Sequence, residues 1–206
     1  LRHASALLML GLLGGCTEVP TDPADPTSPT RAGRPSFVIS DGAHGGNPHV
    51  FFLPPMLPDP SARFSAAFVG TLDVEIMICV WRTADKTCGP ALEVYTRNAG
   101  AGSEIVRVPE GAEYYLVNWH TDAILDQFPL AEDEDYRIRV VVGKRVLAYA
   151  DVQVVGAAKD LKNVNTGEYI PLLDGRTLPI KVRVEEGWEK YGAVETVEAG
   201  GSHTCR

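Results

Sequence analysis

The residues best suited to chemistry in this 206-residue chain are its five histidines, four cysteines and a run of carboxylates. His44 and His49 sit close to Asp41 and Asn47 in the glycine-rich stretch "SDGAHGGNPH", and His120 stands two residues before Asp122. Imidazole and carboxylate oxygen together hold divalent cations, so these residues form a metal site only if the fold gathers them. No local spacing enforces that gathering. Loop histidines are more often solvated or hydrogen-bonded, and the expectation is no metal site and no cofactor. Glu132, Asp133, Glu134 and Asp135 form an acidic run ahead of Tyr136. Calcium favours such oxygens, but the run lacks the alternating spacing of a calcium loop and reads as a solvated turn. No serine lies in a nucleophile-elbow glycine pattern, and no phosphate-cradling glycine loop leads into a lysine. Carboxylate pairs for sugar hydrolysis meet only in three dimensions, so the sequence leaves them open. The chain is expected not to be an enzyme.

The formal net charge of −8, from 19 basic and 27 acidic side chains, argues against nucleic acid as a partner. A hydrophobic content of 45% is enough for a real core. Ala4 to Leu13 is a short apolar run behind Arg2 and His3, and it ends in Leu13-Gly14-Gly15-Cys16. This stretch resembles the lipobox of bacterial lipoproteins, with leucine at −3, small residues at −2 and −1 and cysteine at +1. The resemblance implies a signal peptide over residues 1–15 and a diacylglycerol-bearing Cys16 as lipidation site. The partner would then be a membrane, held through that lipid anchor. Thr17, where an aspartate would imply retention at the inner membrane, implies the outer membrane or cell surface. Residues 16–36, with Pro20, Pro23, Pro26 and Pro29, are too polar to bury a core and read as an extended linker. At about 3.1 Å per residue in polyproline II, some 20 residues reach on the order of 60 Å.

From 37 to 187 the dominant period is two, the signature of strands. In "YRIRVVV", Tyr136, Ile138, Val140 and Val142 share one face and Arg137 and Arg139 take the other. "LPIKVRVEE" turns Leu178, Ile180, Val182 and Val184 inward and Lys181, Arg183 and Glu185 outward. "TLDVEIMICVW", "EIVRV", "EYYLVNW" and "VLAYADVQVV" are further predicted strands. Gly143-Lys144 suits a type II′ hairpin turn. The fold class is mainly β, an antiparallel β-sandwich, with a disordered N-terminal segment and a loose C-terminal tail over 188–206. "LAEDEDYRIRV" resembles the tyrosine corner of immunoglobulin-like and fibronectin type III domains. That resemblance implies structural roles for Leu130 and Tyr136, with Trp119 as the large core aromatic. Residues 41–187, with "NWHTD", "KNVNTGEY" and "DGRTLPIKVRVEEG", are also similar to a domain of exported bacterial proteins of uncharacterised role.

Cys79 and Cys88, nine apart, either bridge a strand to its successor or stay as independent thiols. The export signal favours the disulfide, and no spacing supports zinc. Near the C-terminus, "VETVEAGGSHTC" resembles the opening strand of an RCC1-type propeller repeat. This implies a longer protein, since one repeat cannot bury its own faces. The expected function is a non-catalytic, cell-envelope lipoprotein whose sandwich is a spacer, adhesion or binding module facing an extracellular protein or glycan. Two alternatives stand beside it. One is a carbohydrate- or peptide-binding module with a concave patch built on Trp81, Tyr95 or Tyr114. The other is an envelope hydrolase with convergent His, Asp or Ser side chains.

Overall fold

Alternating β-branched and aromatic residues give ten strands among the described residues: β1 (Ile39–Ser40), β2 (Val50–Phe52), β3 (Val74–Arg82), β4 (Thr87–Tyr95), β5 (Tyr115–His120), β6 (Glu134–Val142), β7 (Arg145–Val155), β8 (Ile170–Leu173), β9 (Thr177–Val184) and β10 (Glu195–Thr196). The structure is a computed structural model that describes residues 39–82, 84, 86–122, 134–164, 166, 169–193 and 195–196. Cys16, the proline-rich linker, Leu130, the acidic positions 132 and 133 and the repeat-like residues 197–205 lie outside them. The larger sheet runs β1-β7-β6-β3-β4, with β8 and β10 also on β7, and the smaller runs β2-β9-β5. Every pairing is antiparallel except β7 with β8.

The two sheets enclose one core, as the period-two reading expects. Ile76, Ile78, Tyr136, Ile138 and Val140 from the larger sheet meet Val117, Trp119, Ile180, Val182 and Val184 from the smaller. Trp119 and Tyr136 cross the interface edge-on, with ring centroids 5.8 Å apart. Both are fully buried. The β6–β7 turn has positive φ at Gly143 (63°) and not at Lys144, as a type II′ turn requires. The Cys79–Cys88 disulfide ties β3 to β4 across a Cα–Cα distance of 5.8 Å.

Three expectations need correction. Arg183 and Glu185 do not point to solvent: both are buried, because the chain between β2 and β3 lays Ser65, Ala66, Phe64 and Phe68 over them. "EIVRV" is not a strand; it makes a single bridge, Arg107 to Leu116. Packing also continues past Gly187. Asn47 Nδ2 donates to the Trp188 carbonyl at 2.9 Å, Arg145 donates to the carbonyls of Glu189 and Tyr191, and β10 pairs with Val146 and Arg145 of β7.

Candidate functional site

The histidines singled out by sequence occupy three separate settings. Asp41 is fully buried, and its Oδ1 accepts from the backbone N–H groups of Ala43 and His44 and lies 2.6 Å from His44 Nδ1. Its Oδ2 accepts from Phe52 N–H, so Asp41 fixes the end of β2 rather than offering itself to a ligand. Asn47 likewise spends its side chain on the His49 N–H and the Trp188 carbonyl. His49 faces Glu185, Nδ1 to Oε2 3.7 Å, and rests against Tyr191. His120 lies at the end of β5, and Asp122 joins neither of the other settings. Among the described residues no three histidine, cysteine or carboxylate side chains are placed to hold a metal.

His120 is where polar groups converge most. Its Nδ1 is 2.8 Å from Thr177 Oγ1, its cross-strand partner, and its Nε2 is 3.7 Å from Glu104 Oε1. Glu104 also accepts from Asn118 Nδ2 at 3.3 Å and from Arg107 at 3.1 Å. Partial burial raises the Glu104 carboxyl, but the bonds from Asn118 and Arg107 outweigh it and bring it below its ordinary value. On the facing edge of the larger sheet, Tyr95 donates to Glu93, whose carboxyl burial pushes up against the pull of His120. Two carboxylates with opposite shifts near one imidazole are the raw material of acid–base chemistry. Thr177, His120 and Glu104 even run hydroxyl, imidazole, carboxylate. Yet 3.7 Å is beyond hydrogen-bond reach, and the Glu104 oxygens are already taken by Asn118 and Arg107. The cluster ties β5, β9 and the 104–107 segment together. Glu93, Glu104 and Thr177 escaped the sequence reading because no short spacing links them to His120; the β5–β9 register brings in Thr177, while Glu93 and Glu104 arrive from β4 and the 104–107 segment through tertiary packing.

The aromatic patch proposed for ligand binding is not assembled. Trp81 is 7% exposed, and the Arg137 guanidinium lies over its ring at 3.2 Å from the centroid. Tyr95 is 1% exposed and turned into the core. Tyr114, half-buried ahead of β5, has the Lys181 ammonium 5.4 Å over its ring. Compared with known protein families, curated proteins and solved structures, the chain matches none.

Beside Trp81, Arg137 also lies 4.0 Å from the Tyr149 ring centroid and bonds both Asp151 oxygens, at 2.6 and 2.8 Å. Bidentate pairing and two ring faces make this guanidinium a clamp across β3, β6 and β7. It explains why Trp81 is covered.

Proposed function

We propose that the chain is a lipid-anchored protein of the bacterial cell envelope, held at the outer membrane or cell surface by an acylated Cys16. Its β-sandwich is a non-catalytic spacer, adhesion or binding module that meets an extracellular protein or glycan and precedes an RCC1-type propeller. The single observation that carries this reading is Leu13-Gly14-Gly15-Cys16 behind a short apolar run and ahead of a proline-rich linker. The Cys79–Cys88 disulfide supports an oxidising compartment. The self-satisfied polar groups around His120 support a module that holds its shape rather than turns over a substrate.

Fractionation of cells making the wild type and Cys16→Ser tests the anchor. The wild type is expected in the membrane fraction, with a mass increased by acyl chains and residues 1–15 removed. Cys16→Ser is expected in the soluble fraction. An unmodified thiol at Cys16, or equal partition of the two proteins, overturns the proposal.

A further inference from the structure

The chain enters and leaves the sandwich along one strand. β1 and β10 both pair with β7, on the edge opposite β6. Ile39, at the N-terminal end of β1, stands opposite Ala150, and Thr196, at the C-terminal end of β10, stands opposite Arg145. Measured along β7, these points are roughly 16 Å apart at about 3.3 Å per residue. Both strands are antiparallel to β7, so β1 points its N-terminal end toward Val155 and β10 points its C-terminal end toward the β6–β7 turn. A pull between the two ends of the domain therefore runs along β7, in opposite directions on the two short strands.

We propose that the sandwich is a load-bearing element, in which tension between its N-terminal and C-terminal sides is carried in shear by β1 and β10 against β7. The proposal rests on the anchored reading, which ties the N-terminal side to a membrane and puts a further domain beyond the C-terminal side. Hydrogen bonds of an antiparallel pair lie perpendicular to the strands. Force along the strands loads the bonds of a pair together, whereas force across them opens the bonds one after another. β7 is fit to be the fixed rail. It is paired with β6 from Arg145 to Val152, and Leu147, Ala148, Ala150 and Val152 are fully buried.

Each end has a second hold behind its short strand. Behind β10, the Arg145 guanidinium donates to the carbonyls of Glu189, at 3.4 Å, and Tyr191, and it lies 5.5 Å over the Trp188 ring. Behind β1, the buried Asp41 carboxylate accepts from the Ala43, His44 and Phe52 N–H groups. Asn47 joins the two ends: its Oδ1 accepts from the His49 N–H at 3.1 Å, and its Nδ2 donates to the Trp188 carbonyl at 2.9 Å. The His49 ring meets Tyr191, with centroids 5.4 Å apart. Arg145 and Asn47 both grip main-chain carbonyls, so load leaving β10 passes to β7 and to the β1–β2 loop before it reaches β9.

The test is single-molecule force spectroscopy of the full chain at one loading rate, with handles placed in two ways. Handles at both chain ends pull along β7. Handles at the C-terminal end and at the exposed Lys144, in the turn beside Arg145, pull across the edge and peel β10 away. The first rupture end to end is expected at about twice the peeling force or more. Arg145→Ala is expected to speed unfolding about tenfold or more under end-to-end load, and less than about threefold without load. A force ratio below about two, or an Arg145→Ala effect no larger under load than without it, overturns the proposal. Neither force depends on acylation of Cys16, so a low ratio leaves the anchor standing and loss of the anchor leaves the ratio standing.

Discussion

Arg137 and Arg183 occupy equivalent places in two sheets and are buried by different means. Each sits in an alternating strand, on the face away from the core, and each is 5% exposed. Arg137 takes its partners from neighbouring strands: Asp151 and Tyr149 on β7 and Trp81 on β3. Arg183 reaches Glu185 on its own side of the sheet, at 3.0 Å. Its other contacts are Glu113 at 2.7 Å, the Ala66 carbonyl at 3.1 Å and the rings of Phe64 and Phe68. The first clamp is a product of strand register; the second is a product of chain wrapping over the sheet. A guanidinium is buried only when its donors are met, and ladder or loop can meet them.

The loop-built clamp should be the more fragile. Glu185 is fully buried and holds Arg183 on one oxygen and the Ser65 and Ala66 N–H groups on the other. Glu185→Ala strands all three donors at once, and the expected loss is about 3–5 kcal/mol in urea unfolding. A loss under about 1 kcal/mol would mean that the wrap is held by its aromatic rings alone. Burial works against the Glu185 charge, but the Ser65, Arg183 and Ala66 bonds prevail and lower its carboxyl below 4.5. Its contribution is thus present above about pH 4.5 and vanishes as acid protonates it. The ladder-built clamp should lose less. After Asp151→Ala, Arg137 keeps both ring faces, and the expected cost is about 2–3 kcal/mol, with β3–β6–β7 exchange affected before that of β2–β9.

The same contrast separates what was legible in the sequence from what was not. Tyr136, Ile138 and Val140, or Leu178, Ile180, Val182 and Val184, declare their faces by alternation, and the core follows. Alternation states only which residues share a face. It assigned Arg183 and Glu185 to solvent because nothing in "LPIKVRVEE" tells of Ser65 and Phe68, more than a hundred residues earlier. The Arg137–Asp151 pair was closer to reach. Counted straight back from the Gly143-Lys144 turn, Arg137 falls opposite Ala150. A bulge between Val140 and Val141 moves it opposite Asp151, and a bulge among valines leaves no mark in composition. Trp81 and Tyr95 read as available aromatics for the same reason: their covering partners are tertiary. The β5–β9 register that gathers His120 and Thr177 was equally out of view.

The disulfide should brace one clamp and not the other. Cys79 is fully buried, and its sulfur lies 3.7 Å from the Arg137 carbonyl. Closing a loop of about ten residues stabilises by roughly 2–3 kcal/mol through the unfolded state. Reduction, or Cys79→Ser with Cys88→Ser, is expected to lower the melting temperature and to speed amide exchange in β3 and β4. Faster exchange at Arg183 and Phe68 as well would show that the two clamps share one cooperative unit.

The smallest effect belongs to the turn that sets the ladder. Gly143 has φ of 63°, and a methyl group there would meet nothing within 4 Å. Gly143→Ala therefore isolates backbone strain from packing, and the expected cost is about 1 kcal/mol. Lys144, whose φ is not positive, should accept alanine at almost no cost. Because the turn fixes the β6–β7 register, Gly143→Ala should weaken the Arg137 clamp alone, seen as faster exchange at Arg137 and Asp151 with Arg183 unchanged. Equal loss in both regions would mean that register and wrapping are not separable, and that the smaller sheet takes its order from the hairpin of the larger one.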